Sequence, residues 1–264
     1  MRLERPDGVG LWWEAEGTGP PVVLLPGRGD ASDLFPRRFT DPLVAVGLQV
    51  IRLDPRDTGL SDDGGDTYTL GSMADDAIAV LDAAAGADVA AAHWVGVSMG
   101  GMQLVDIATR HRPRVTSLTF IAAMSPDPDA GFGEEFFADP IDDPVETLVA
   151  LLGSVSDDDR AWVRDEVAHA AARASARPQA AEAHMAASMR LGWPTLDQLA
   201  DIRVPSIVVH GTEDRKLPIA HAEALGNGIA GAEILVRQGM GHLPRPADWD
   251  VIARELVAMA AGVS

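Results

Sequence analysis

Six residues, Gly96-Val97-Ser98-Met99-Gly100-Gly101, constrain this chain more than any other stretch. The apolar run Ala90-Ala91-Ala92-His93-Trp94-Val95 before them reads as a buried strand. After them, Met102, Leu104, Val105, Ile107 and Ala108 recur at helical spacing as far as His111. A serine between glycines at a strand-to-helix junction is the nucleophile-elbow pattern. So tight a turn strains the serine backbone, and side chains at 96 and 100 would strike neighbouring chain, hence the glycines. The turn lifts the Ser98 hydroxyl above the sheet edge. It also points the unpaired N–H groups of a helix N-terminus at any anion forming there.

The remaining chain supplies a sheet for this elbow. Leu11–Glu16 reads as an early strand, closed by Gly17-Thr18-Gly19-Pro20-Pro21. Val22-Val23-Leu24-Leu25 is wholly apolar, as a parallel strand buried on both faces should be. Further strands are predicted at 49–53, 115–122, 206–209 and 233–236. Helices are predicted at 35–46, after a Ser72 cap, at 102–111 and at 249–260. Strands alternating with helices imply an α/β fold: a mainly parallel sheet with helices on both faces. Residues 125–197 break that rhythm with three alanine-rich helical stretches, 144–153, 157–176 and 179–190, and no evident strand. The expected organisation is a core domain from 1–124 and 198–264, with 125–197 inserted as a small helical cap over the carboxyl ends of the strands. Ligands of open α/β sheets bind at those ends.

A serine hydroxyl is a weak nucleophile that needs a base, and the base needs an orienting acid. The predicted strand 206–209 runs into His210-Gly211-Thr212-Glu213-Asp214, which puts Asp214 in the turn after a strand. The next strand ends in Gln238-Gly239-Met240-Gly241-His242, which puts His242 in a glycine-bracketed loop. Alone, Asp214 is as readily a turn residue and His242 a loop histidine. The order serine, acid, histidine, each at a strand's carboxyl end, makes them the expected triad. Two N–H donors for an oxyanion are expected from Met99, after the nucleophile, and Arg28, after the strand 22–25. The Arg28 side chain has two readings: gripping an anionic or phenolic substrate group, or pairing with Asp30 or Asp33. Phe132, Phe136, Phe137, Trp162, Met185, Met189 and Trp193 are the candidate substrate-lining residues of the insertion, although most could simply hold its helices together.

Composition narrows the rest. With 40 acidic against 21 basic residues the net charge is −19, which argues against nucleic acid or an anionic membrane surface as partner. There is no cysteine, hence no disulfide, thiolate nucleophile or cysteine-ligated metal. The first residues lack an apolar signal core and no run approaches a membrane span, so a cytoplasmic location is expected. His169 and His184 lie near Asp165 and Glu166, but a buried or solvated histidine is the commoner case, and neither metal nor cofactor is expected. The oligomeric state stays open.

Pro26-Gly27-Arg28, the run Asp54-Pro55-Arg56-Asp57-Thr58-Gly59-Leu60-Ser61, the elbow, Gly211-Thr212-Glu213-Asp214 and Gly239-Met240-Gly241-His242 together resemble the α/β-hydrolase superfamily over nearly the whole chain. Arg-Asp-Thr-Gly and Ser-Met-Gly further resemble the aclacinomycin methylesterase group of polyketide-tailoring enzymes. That resemblance implies hydrolysis of a carboxylic ester in a small, bulky, apolar secondary metabolite. The usual His-Gly of the oxyanion loop is Pro26-Gly27 here. In some relatives the acid follows an earlier strand, where this chain has Asp127. A lyase or cyclase reusing the scaffold without an acyl-enzyme, and a slowly hydrolysing ligand receptor, are the alternatives. Serine at 98 excludes the usual carboxylate-nucleophile epoxide hydrolases and dehalogenases.

Overall fold

The computed structural model describes all residues except 87–88, 139–140, 174–176, 178, 191–192 and 263–264. The strands are β1 (Arg2–Glu4), β2 (Gly10–Glu16), β3 (Pro21–Leu25), β4 (Gln49–Leu53), β5 (Ala92–Val97), β6 (Val115–Ile121), β7 (Ser206–Gly211) and β8 (Glu233–Arg237). They form one sheet in the order β1-β2-β4-β3-β5-β6-β7-β8. β1 and β2 pair antiparallel, as do β2 and β4, and every later pairing is parallel. The helices are α1 (Arg37–Ala45), α2 (Leu70–Ala85), α3 (Met99–Arg110), α4 (Pro144–Leu152), α5 (Asp157–Arg173), α6 (Ala180–Ser188), α7 (Leu196–Leu199), α8 (Ala220–Gly228) and α9 (Pro246–Gly262).

The two-residue period of a strand sends alternate side chains to opposite faces. Val23, Leu25, Ile51, Trp94, Leu118 and Val208 join the side chains of α2, α3 and α8 in one cluster. Val22, Leu24, Val50, Val95, Val97 and Val209 join those of α1 and α9 in the other. There Phe35, Phe39 and Trp249 lie with ring centroids 5.0–6.1 Å apart. Covered on both faces, β3, β5 and β7 are buried throughout, which is why their sequences read as unbroken apolar runs.

Several sequence expectations shift. The cap of α2 is Thr69 and not Ser72: the Thr69 hydroxyl accepts the Ser72 N–H at 3.2 Å while the Ser72 hydroxyl accepts the Thr69 N–H at 3.1 Å. This reciprocal pair places serine at the third helical position. α3 begins at Met99 rather than 102, because the elbow passes directly into the helix. β1 has no counterpart in the expectations. Three charged or half-buried residues carry no alternation to detect. Between β6 and β7 the described residues hold α4 to α7 and no strand. The last part of the 157–176 stretch, residues 174–176, lies outside the described residues.

The Asp54–Ser61 run is scaffold. Buried Asp54 accepts the N–H groups of Ser32 at 3.0 Å and Leu60 at 2.8 Å, and pairs with Arg173 of α5 at 2.7 Å. Gly59 has φ +50°, and a Cβ there would lie 2.1 Å from Asp54 Oδ2. Arg56 is bonded through Nε to Asp76 Oδ2 at 2.5 Å and through Nη2 to Oδ1 at 2.9 Å.

Candidate active site

Ser98 stands between β5 and α3 with φ 54° and ψ −115°, a conformation that only a well-braced non-glycine residue holds. The brace comes from β6 and the chain beyond it. Ser98 N–H donates to Ile121 O at 3.0 Å, and Ser98 O accepts from Gly101 N–H at 2.9 Å and Met124 N–H at 3.2 Å. A Cβ on Gly96 would fall 2.6 Å from Gly100 C and O, and one on Gly100 2.4 Å from Leu25 O. The turn therefore exists only with glycine at both places.

Asp214 and His242 follow β7 and β8, the two strands beyond β6 in the parallel part of the sheet. His242 Nδ1 lies 2.9 Å from Asp214 Oδ2. The other carboxylate oxygen, Oδ1, accepts the N–H groups of Lys216 and Leu217, both at 2.9 Å. With the Asp214 side chain fully buried, these two N–H groups fix the plane of the carboxylate that faces the histidine. Burial pushes the Asp214 carboxyl up, but the charge and hydrogen bond of His242 and the Leu217 N–H outweigh it and leave it below the usual range. A carboxylate can only accept, so Nδ1 carries the proton and Nε2 keeps its lone pair for a hydroxyl. Asp127 is occupied elsewhere, capping the Asp129 N–H at 2.9 Å, and Glu213 accepts from Ser154 Oγ.

Gly27 brings the loop after β3 against the elbow. A Cβ built on it would lie 3.4 Å from Ser98 Cβ and 2.7 Å from Asp30 Oδ2. Residues 27–30 form a turn, with Asp30 N–H to Gly27 O at 3.4 Å and Gly29 at φ +80°. The N–H groups of Arg28 and Met99 take part in no other hydrogen bond among the described residues. The Arg28 guanidinium donates to Phe136 O at 3.3 Å and lies 5.0 Å from the Phe136 ring centre. Lys216 Nζ donates to the adjacent carbonyl, Glu135 O, at 3.1 Å. Of the two readings of the Arg28 side chain, the ion pair with Asp30 or Asp33 does not form within 4.0 Å among the described residues; the guanidinium braces the segment around Phe136, and Asp33 lies 3.6 Å from Arg173.

Of the aromatic and methionine candidates, Phe136, Met185 and Trp193 pack in the cluster that contains Met99 and Met102. Phe132 and Trp193 line a cavity of about 350 Å³ with Met124, Ser125 and His221. Phe137 and Met189 are 74% and 78% exposed. Trp162 packs instead into the cluster with Leu152 and Trp249. It packs the insertion against the core, a form of the alternative that the sequence left open for such residues. No group of three or more His, Cys, Asp or Glu able to hold a metal occurs among the described residues. Nor does any described helix have the length and apolarity to cross a membrane.

Besides the contacts around Phe136, the segment between β6 and β7 touches the site loops through α4 and α6. Beyond α4, Gly241 N–H donates to Leu152 O and Leu243 N–H to Leu151 O, both at 2.8 Å, while Ser154 N–H donates to Gly239 O at 2.9 Å. On α6, buried His184 meets the turn at 27–30.

The family model for the alpha/beta hydrolase fold matches residues 20–244. The chain belongs to that family. Rhodomycin D methylesterase DnrP of Streptomyces peucetius is 28% identical over 91% of each chain. The structure of Est816, described as an N-acyl homoserine lactone degrading enzyme, superposes with a TM-score of 0.73 at 27% identity over 97% of this chain and 99% of its own. Esterase RhEst1 from Rhodococcus sp. ECU1013 reaches 0.82 over 100% and 99% at 21% identity, a likeness of fold.

Two site features escaped the sequence reading, His184 and Asp30. Burial raises the Asp30 carboxyl to about 6, with Asp33 adding to the rise and His242, Arg28 and Lys216 opposing it. A folded value above the ordinary 3.8 means that ionisation opposes folding. The penalty is absent below pH 4, grows as pH rises to about 6, and is constant above. Asp30→Asn is accordingly expected to raise the melting temperature at pH 8, by up to about 3 kcal/mol of stability, and to leave it unchanged at pH 4. Calorimetry at the two pH values checks this, and an equal gain at both would refute the assignment.

Proposed function

We propose that the protein is a serine hydrolase that cleaves a carboxylic ester through an acyl-enzyme. The observation that carries the proposal is the His242–Asp214 hydrogen bond, which leaves His242 Nε2 as the base, together with the braced Ser98 at the carboxyl end of β5 in the same parallel sheet. The Ser98 hydroxyl gives its proton to His242 Nε2 as Oγ bonds to the ester carbonyl carbon. The N–H groups of Arg28 and Met99 hold the resulting oxyanion. Collapse breaks the carbon–alkoxy bond, and the imidazolium returns the proton to the departing alcohol. Water then adds to the acyl group with the same base, releasing the acid and restoring Ser98.

Residues 125–197 serve as the cap in this reading, and Phe136, Met185, Trp193 and Phe132 supply its apolar lining. Together with the likeness to a methylesterase, that lining supports a bulky apolar secondary metabolite as substrate. A fluorophosphonate probe tests the chemistry. It should add its mass to the peptide containing Ser98 and abolish turnover of a small acetate ester, and Ser98→Ala should take no label. Binding of an intact ligand without any label on Ser98 points to lyase or cyclase chemistry and rejects the acyl-enzyme.

A further inference from the structure

We propose that His184 of the cap is a positioning residue for the oxyanion hole, so that the hole is complete only while α6 is docked on the turn at 27–30. The inference rests on the esterase reading, in which Arg28 N–H is one of the two donors.

His184 Nε2 lies 2.8 Å from Arg56 O, and a carbonyl can only accept, so Nε2 bears the proton. Nδ1 is then a lone pair, and it accepts the Gly29 N–H at 3.0 Å. Both bonds exist only in the neutral ring. Burial, the largest influence on this imidazole, holds its proton affinity below the ordinary histidine value and so favours that form. One side chain of the insertion thereby joins two core loops, the turn after β3 and the loop after β4. The second of these is itself immobilised by the Arg56–Asp76 pair.

The Gly29 N–H is a sensitive place to hold. In a four-residue turn the central peptide is the one that rotates between turn types, and here it joins Arg28 to Gly29. The donor N–H of Arg28 sits on the peptide immediately before it. Gly29 at φ +80° is a conformation that glycine leaves without steric cost, so the turn is not self-locking. The lock is external. Besides the ring of His184, the backbone of α6 lies flush on the turn: a Cβ on Gly29 would be 2.9 Å from Ala181 Cβ and 3.0 Å from Ala181 Cα and N. Positions 181 and 184 are three apart and share one helix face. Undocking α6 to admit a substrate thus releases the peptide beside the donor, and redocking restores it.

Two substitutions separate positioning from mere anchorage. Asparagine places its amide oxygen near the Nδ1 position and keeps an acceptor for Gly29. Glutamine places its amide nitrogen near Nε2 and keeps the donor to Arg56. With a small acetate ester, His184→Gln is expected to lower kcat about 10- to 100-fold with KM little changed, part of the loss that follows removal of a whole oxyanion donor. His184→Asn should stay within about threefold of the original kcat, while both variants lower Tm to a similar extent. Equal kcat losses in the two, or none in His184→Gln, would overturn the proposal. Should His184→Gln not fold, the imidazole ¹⁵N shifts of the unaltered protein decide. A protonated Nε2 with a bare Nδ1 at neutral pH supports the proposal, and the other tautomer or the imidazolium rejects it. Fluorophosphonate labelling of the unaltered protein is read alongside. Absence of label on Ser98 overturns the esterase reading, whereas label with unchanged kcat in His184→Gln overturns only the positioning role.

Discussion

Ser98→Ala is expected to lower ester turnover by a factor on the order of 10⁵, and His242→Ala by a similar factor. The double substitution should lose little beyond either, because a nucleophile without its base and a base without its nucleophile are equally idle. Asp214→Ala should retain more, of the order of tenfold above the other two. Without the carboxylate the imidazole loses its orientation and fixed tautomer, but its lone pair can still reach the hydroxyl. Residual activity in all three would come from the Arg28 and Met99 N–H groups and from binding. Steady-state rates on one activated ester suffice as the measurement. Losses in the double variant that multiply would show that the residues do not act as a unit. Ser98→Ala keeping more than about a hundredth of the original rate would remove serine as nucleophile.

The second large effect is on folding. Gly96→Ala and Gly100→Ala each place a methyl 2.4–2.6 Å from backbone atoms that belong to the turn itself or to the end of β3. Neither neighbour is a flexible side chain that can move aside, so each substitution is expected to cost more than about 4 kcal/mol, or to prevent folding. Gly71→Ala is the contrasting control. It lies near the start of α2, its added methyl would meet nothing closer than 3.5 Å, and it should stabilise by up to about 1 kcal/mol through helix propensity. Thermal melts of the three variants separate the two kinds of glycine, at roughly 2–4 °C per kcal/mol for a chain near this size. A Gly96→Ala protein melting with the unaltered one would mean that the elbow is looser than the contacts indicate.

What the sequence revealed and what it hid follow from distance along the chain. The elbow, the buried strands and the turn that carries Asp214 are local matters: a run of apolar residues, two glycines, an acid just past a strand. The unbroken apolar run 22–25 marked a strand buried on both faces without saying which residue faces which cluster, and the parallel order of the later strands followed from the intervening helices. Thr69 was passed over because its partner Ser72 is itself a good capping residue, and the choice between them depends on where the first turn begins. His184 was hidden for a different reason. Its two partners are Gly29 and Arg56, in loops far away along the chain, and on an alanine-rich helix a histidine carries no sign of which loop it faces. Asp30 likewise reads as an ordinary turn residue until folding brings it over Gly27 beside Ser98. Trp162 was legible as an aromatic of the insertion and illegible as to whether it lines a pocket or joins a core cluster.

The segment between β6 and β7 is fastened to the loop of His242 by backbone hydrogen bonds from residues 151–154, to the turn after Asp214 by those of Gly133 and Glu135, and to the turn of Arg28 through α6 and Phe136 O. That multiple attachment has a consequence for how such a chain can change in evolution. Recombination replaces an insertion most freely when it meets its host only through the two joining peptides. Here a transplanted insertion would also have to reproduce the edge that Gly239 and Gly241 pair with, and a ring that satisfies Gly29 and Arg56. On the proposed reading, in which Phe136, Met185 and Trp193 line the substrate site, new substrate preferences are therefore reached more readily by single replacements there, which leave the backbone attachments intact, than by exchange of the whole segment. The same constraint applies to a designer choosing between a library at those positions and a chimera.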